Sequence, residues 1–203
     1  MAVKLPLPFR PLDDEFLRIA MAAALGSQPL VPLVPNTPGV GVYALYYRPA
    51  VPPADVLLKL YARACGDGKV PLYVGVTIKA NPEGADGSWA LKGRLALHQK
   101  KLDKAVGMSS SDFLCRALPC DNRWAELVEQ YLIQAYRPVW NLVVSGFGSN
   151  LRGSGRKDQK ASRWEVLHQG LSSSTLSRVD IESDVIRHLG ARPRPRPYRF
   201  ADR

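Results

Sequence analysis

The sequence predicts an α+β fold: a small antiparallel β-sheet flanked by helices, with N- and C-terminal extensions. Three observations predict it. Two compact, aromatic-rich runs, GVYALYY at 41–47 and LYVGVTI at 72–78, have the composition of strands. Two longer stretches, 89–104 and 122–136, repeat apolar residues at helical spacing. A third β-prone run, FLCRAL at 113–118, lies between them. The order helix, two strands, helix, strand, helix suits a sheet that buries its faces against helices.

Residues 1–12 are Pro-rich and are expected to run extended. Asp13-Asp14-Glu15 starts a helix, with acids at its positive dipole end. Phe16, Ile19, Ala20, Ala23 and Leu25 supply its apolar face, and Gly26 ends it. Residues 29–38 hold four prolines and read as a connection. The chain turns again in the Pro-rich 49–53 stretch, and Asp55–Cys65 fits a helix or a strand equally well. Gly66-Asp67-Gly68 is a turn, and 81–88 (NPEGADGS) is a loop by composition. In the 89–104 helix Leu91, Leu95, His98 and Leu102 share one face. In the 122–136 helix the expected apolar face is Trp124, Leu127, Val128, Tyr131, Leu132 and Ala135, and Pro138 sets the stop. Beyond Asn141 the chain becomes rich in Gly, Ser, Arg and Lys. A last helix is expected over 179–189, and the 191–199 tail alternates Arg and Pro, either tracking a polyanion or disordered.

Composition narrows the function classes. The chain of 203 residues carries a formal charge of +10, an excess that favours a polyanionic partner. The excess is +4 over residues 41–150 and +6 over the shorter 151–203 stretch, while 1–40 is neutral. The three cysteines, Cys65, Cys115 and Cys120, form no CxxC pair, which argues against a disulfide framework or a zinc site and for a reducing cytoplasm. No apolar run reaches the ~18 residues of a membrane span. Asp13–Glu15 interrupts the start before any signal-like run, so no membrane partner and no signal peptide are expected.

Taken singly, a strand tyrosine is an ordinary packing residue, and a helical Arg, His or Glu an ordinary surface or structural one. The combination is more specific. Gly41-Val42-Tyr43 and Tyr73-Val74-Gly75 are followed by Arg94 and His98 in KGRLALH, then by Glu129 at the head of EQYLIQAYRPVWN, which ends at Asn141. This set, in this order, resembles the GIY-YIG nuclease superfamily. Further similarity, in Gln28-Pro29-Leu30 and in GFGSNLRGSGRKDQKASRWEVLHQG from Gly146 to Gly170, resembles the small type II restriction endonucleases of the NgoMIII type. Relatives of that type cut the palindrome CCGCGG.

The resemblance implies three regions: an N-terminal extension with one helix (1–40), a GIY-YIG catalytic core (41–144, with an insertion at about 48–70) and a basic DNA-recognition region and tail (145–203). It implies hydrolysis of double-stranded DNA with one Mg²⁺ per active site, Mn²⁺ being able to substitute. Glu129 is the implied metal ligand, a hard oxygen donor of the kind Mg²⁺ takes; Glu126, one turn earlier, is the competing carboxylate. Arg94 offers a forked cation to the phosphoryl oxygens. Tyr43 is the implied base toward water. A phenol has a pKa of roughly 10 and must lose its proton to act, so His98, four residues after Arg94 on the same face, either accepts that proton or holds the hydroxyl. Tyr73 orients the phosphate or a metal-bound water, and Asn141 fixes the loop after the glutamate helix and is a candidate to position the phosphate. Val76 stands where many relatives carry a basic residue; Lys79 is the nearest substitute.

Asn150, Arg152, Arg156, Lys157, Gln159, Lys160 and Arg163 crowd a Gly/Ser-rich stretch. Arg and Lys pair with guanine O6 and N7, which suits a GC-rich site; contacts to phosphates are the plainer alternative. Trp164 and His168 are expected to anchor this stretch to the core. Cutting both strands of a palindrome implies a homodimer, and a restriction enzyme implies a partner DNA methyltransferase. The competing functions are a repair or homing nuclease of the same superfamily, a non-catalytic DNA-binding protein on the same scaffold, and a basic RNA-binding domain.

Overall fold

The computed structural model describes residues 14–33, 39–66, 68–77, 90–149 and 160–191. The 1–12 segment, the 81–88 loop, the 192–203 tail and the candidate DNA contacts Lys79, Asn150, Arg152, Arg156, Lys157 and Gln159 lie outside them.

Four strands form one antiparallel sheet in the order β1-β4-β2-β3: β1 (Val31–Pro32), β2 (Gly41–Tyr47), β3 (Tyr73–Thr77) and β4 (Phe113–Pro119). Strand β2 is central and every residue of it is buried, which is why it reads as a continuous apolar and aromatic run. Its register sets Tyr43 opposite Gly75 in β3 and Ala117 in β4, and Leu45 opposite Tyr73. Side chains alternate across a strand, so Tyr43, Leu45, Tyr47, Tyr73 and Gly75 face the same side of the sheet. Val31–Pro32 belongs to the stretch expected to be a plain connection. It pairs with Cys115 and Leu114 at the sheet edge, a position where a proline without an N–H is tolerated.

Helices α1 (Asp14–Gly26) and α4 (Asn122–Tyr136) pack together, α4 lies on β2 and β3, and α1 touches β4. The Arg116 guanidinium on β4 donates to the carbonyls of Gly26 (2.8 Å) and Gln28, taking up acceptors that the end of α1 leaves open. Tyr136 donates to the Ala22 carbonyl at 3.0 Å. Two expected faces are corrected here. On α4 the buried residues are Ala125, Val128 and Leu132, while Trp124 is 56% exposed and Leu127 and Ala135 are also exposed. The contact line of α4 is a narrow stripe centred on Val128, and Trp124 and Leu127 fall on its outer flanks. On α1 Leu25 is the buried anchor, and Phe16, 60% exposed, and Ala23, also exposed, are not part of the core.

The ambiguous 55–65 stretch is a helix, α2 (Val56–Cys65). Asp55 caps it by accepting from Leu58 N, Gly66 closes it at positive φ, and Leu57, Leu58, Tyr61 and Cys65 bury one face. Helices α3 (Ala90–Leu102), α5 (Val139–Leu142), α6 (Arg163–His168) and α7 (Arg178–Gly190) are the remaining α-helices among the described residues; α2 packs on α7, and α6 on α7. Helices α5 and α6 were not expected from the sequence. Ser162 and Glu165 form a capping box at the start of α6. Trp164 and His168 are buried against Trp140, with ring centroids 5.8 and 5.5 Å away. No helix among the described residues is long and apolar enough to cross a membrane.

Candidate active site

Strand β3 is an edge strand, and its outward backbone groups need partners. Asn141 on α5 supplies them: its side-chain oxygen accepts from Val74 N and its amide nitrogen donates to Val74 O, both at 2.8 Å. Trp140 N adds a bond to Leu72 O at 2.9 Å. The amide therefore acts as a short stretch of strand. Asn141 thereby ties the segment after α4 to β3 through both ends of its amide.

Tyr43 and Tyr73 come together on the sheet face beside this clamp, with ring centroids 6.2 Å apart. Helix α3 lies across them. Arg94, His98 and Lys101 follow at i, i+4 and i+7 on it, so they share a face. The Tyr43 hydroxyl is 2.6 Å from His98 Nε2, and the imidazole sits 5.5 Å from both tyrosine rings. Gly75 is what lets the two phenols approach. A Cβ there would lie 2.5 Å from the Tyr43 hydroxyl and 2.7 Å from the Tyr73 ring. At Gly148 a Cβ would lie 2.4 Å from the Tyr73 hydroxyl.

Burial, reinforced by Tyr73 and opposed by Arg94, holds the Tyr43 phenol well above its ordinary pKa. Tyr73 is raised by burial, with Arg94 opposing and Glu129 adding to the rise. His98 is pushed down to about 3 by burial and by the neighbouring charges of Arg94 and Lys101. At neutral pH the pair is thus an un-ionised phenol against an uncharged imidazole. A proton can pass between them only if charge arriving nearby alters this balance. Arg94 is half-buried and donates through Nη2 to the Gly148 carbonyl.

Glu129 projects from α4 within the field of Arg94 and Tyr73. Burial and the adjacent Glu126 raise its carboxyl pKa, and Arg94 lowers it. Among the described residues no group of three His, Cys, Asp or Glu side chains gathers, and no hydrogen bond reaches the Glu129 carboxylate. A single hard oxygen donor with desolvated charge fits an ion that keeps most of its own waters, as Mg²⁺ does, and does not fit zinc.

Tyr43, Tyr73, Arg94, His98 and Glu129 thus gather around one end of β3, with Asn141 clamping the strand that carries Tyr73. Two of the basic candidates fall among the described residues. Lys160 is exposed, and Arg163 is paired with Asp184 on α7 at 2.5 Å, half-shielded in the α6–α7 contact. Two further contributors were not read from the sequence. Phe147 stacks on the His98 imidazole at 4.5 Å with planes 12° apart, and Lys101, only 3% exposed, sits behind it. Their signal was faint. Phe147 is flanked by glycines in a stretch that reads as loop, and Lys101 follows Lys100 and reads as solvated charge.

Beyond the core, Arg48, Lys59 and Arg63 line a cavity of about 760 Å³ with Pro49, Pro52 and Pro53, between the 48–53 stretch and α2.

The family model for the Eco29kI GIY-YIG domain matches residues 36–188, which covers β2 through α7 and every one of these side chains. Among curated proteins none matches the chain. A match over most of the length, joined to a site with the superfamily's residues in its order, places the chain in the Eco29kI GIY-YIG family, a restriction endonuclease family.

Proposed function

We propose that the protein is a type II site-specific deoxyribonuclease that hydrolyses double-stranded DNA with Mg²⁺ held by Glu129. The observation that carries this reading is the contact of the Tyr43 hydroxyl with His98, with Arg94 and Tyr73 beside it and Glu129 in their field. Hydrolysis adds water across the P–O3′ bond. The water oxygen bonds to phosphorus, its proton goes to Tyr43, and the Tyr43 proton goes on to His98 Nε2, while the 3′ oxygen leaves. This relay suits a phenol that cannot ionise on its own. Burial depresses His98 most, and Arg94 and Lys101 add to it; a phosphodiester drawn against Arg94 offsets that added charge, so substrate itself makes the imidazole a better acceptor. Arg94 stabilises the charge that builds on the phosphoryl oxygens. When bound, the divalent ion acts as a Lewis acid on the phosphate and neutralises the leaving oxygen. Tyr73 orients the phosphate.

The basic segment is the proposed reader of sequence, with CCGCGG as the target that the similarity to NgoMIII-type enzymes suggests. Lys160 is open to DNA as it stands. Arg163 must exchange Asp184 for a phosphate or base to take part. Arg48, Lys59 and Arg63 are a further candidate contact to the backbone. A palindromic target calls for a homodimer, and host DNA then needs a partner methyltransferase and a shared cytoplasm.

Digestion of a sequenced plasmid with Mg²⁺, followed by mapping of the ends, tests the reading. Discrete fragments with one common end sequence are expected. Nicks confined to damaged DNA indicate a repair nuclease instead, and tight binding without cutting in Mg²⁺ or Mn²⁺ removes the enzyme altogether.

A further inference from the structure

We infer that Lys101 is a positioning residue: its buried ammonium fixes the Gly146–Ser149 loop, and that loop sets the placement of Arg94, His98 and Tyr73. The inference rests on the nuclease reading for its catalytic meaning and on geometry for the clamp.

The Lys101 side chain leaves the last turn of α3, where the helix dipole favours a cation. Its Nζ donates to the carbonyls of Gly146 at 2.5 Å and Phe147 at 3.1 Å, and reaches the Ser149 carbonyl at 3.5 Å and hydroxyl at 3.4 Å. It also lies 5.7 Å from the Phe147 ring centroid and 5.0 Å from that of Trp164. An ammonium is costly to bury, and such a group persists where its donors and charge are matched. Here the match is to successive carbonyls of one tight turn, which converge on a single point and which no apolar side chain can satisfy. The Ser149 hydroxyl closes the same turn by donating to Gly146 O at 2.7 Å.

What the loop touches gives the clamp its role. Phe147 stacks on His98 and meets Tyr73 edge-on, with ring centroids 5.0 Å apart. Gly148 O accepts from Arg94, and the bare Gly148 Cα leaves room for the Tyr73 hydroxyl. Phe147 and Gly148 therefore set the orientation of three side chains in the site, and one lysine holds that short loop through Gly146, Phe147 and Ser149. A purely packing role would not need a charge at this position; an oriented carbonyl at Gly148 does need a fixed backbone.

The test compares Lys101→Met with the wild type in three measurements. Single-turnover cleavage of supercoiled plasmid in Mg²⁺ is expected to fall by about 100-fold, the scale of a small misplacement of reacting groups. Binding of the same plasmid in Ca²⁺ is expected to be unchanged. The His98 side-chain signal in ¹H–¹⁵N spectra should shift as the stacked Phe147 ring moves, while that of His188 stays in place. Lys101→Ala supplemented with ethylammonium should regain part of the rate and of the His98 shift; this arm also carries the test if Lys101→Met does not fold. Wild-type cutting with an unmoved His98 signal overturns the proposal, as does a loss of affinity without a loss of rate. A wild type that cuts no DNA sinks the nuclease reading alone, and the His98 signal with amine rescue then decides the clamp.

Discussion

The Tyr43 hydroxyl and His98 Nε2 stand 2.6 Å apart in a pocket where neither group is ionised at neutral pH. If protons move along this pair, the two side chains act as one unit. Tyr43→Phe and His98→Ala should each slow single-turnover cleavage by about 10²–10⁴-fold, the usual worth of acid–base assistance. The double variant should be no slower than the worse single one. Multiplying effects in this cycle would separate the residues and end the relay.

The same burial has a consequence for stability. His98 and His168 are both held down to about 3, His98 by burial with Arg94 and Lys101, His168 by burial with Arg178. Unfolding restores each to about 6.5, so below that pH the unfolded chain binds protons that the folded chain refuses. Stability is therefore full above pH 6.5 and falls as pH drops toward 3, by about 1 kcal/mol per pH unit for each histidine. Urea unfolding between pH 7 and 4 measures it. His168→Gln, which keeps a polar partner for Tyr61, should flatten the slope by about half; an unchanged slope would take His168 out of the account.

How much of this was legible depended on whether neighbours in sequence or neighbours in space decide the structure. Helix α4 could be bounded from Asn122 to Tyr136 because its N-cap Asp121 and its stop at Pro138 are local. Strand β2 was legible because a fully buried strand is apolar along its whole length. The motif residues Tyr43, Tyr73, Arg94 and Glu129 could be picked out only as an ordered set, since each alone is ordinary. The faces of α1 and α4 were misread because which flank is covered depends on how the two helices sit on the sheet. Lys101 was out of reach for a related reason. Its charge is matched by carbonyls 45–48 residues away, and nothing in KKL announces that.

Asn141 illustrates a distant match that can be cut cleanly. Asn141→Ala leaves the N–H and C=O of Val74 without their partner at the edge of the sheet, at a cost of about 1–3 kcal/mol. Asn141→Asp keeps the acceptor for Val74 N but turns a carboxylate oxygen against the Val74 carbonyl, so it should be no more stable than Asn141→Ala in urea unfolding. Equal stability of Asn141→Ala and the wild type would show that water replaces the amide at no cost.

Gly148 tests the packing around Tyr73. A Cβ at this position meets the end of a side chain rather than backbone, so Gly148→Ala should displace the Tyr73 hydroxyl more than it unfolds the protein. Cleavage should fall steeply while the melting temperature moves by a few degrees, which corresponds to about 1 kcal/mol. Adding Tyr73→Phe removes the clashing oxygen and should restore the melting temperature. If it does not, the clash lies elsewhere in the loop.

Glu129 and Arg94 carry opposite charges and should fail in different ways. Glu129→Gln keeps the shape of the side chain but removes the charge that a hydrated divalent ion needs, so Mg²⁺-dependent cutting should disappear while plasmid binding in Ca²⁺ persists. Arg94 contributes most where charge builds during reaction, so Arg94→Ala should lower the single-turnover rate far more than the affinity. Arg94→Lys keeps the charge but loses the fork that spans Gly148 O and the tyrosines, and should recover little. The discriminating comparison is rate at saturating enzyme against affinity for the same DNA. Glu129→Gln cutting normally in Mg²⁺ would move the metal to another carboxylate, with Glu126 next in line. An Arg94 effect confined to affinity would make it a gripping residue rather than one that stabilises the transition state.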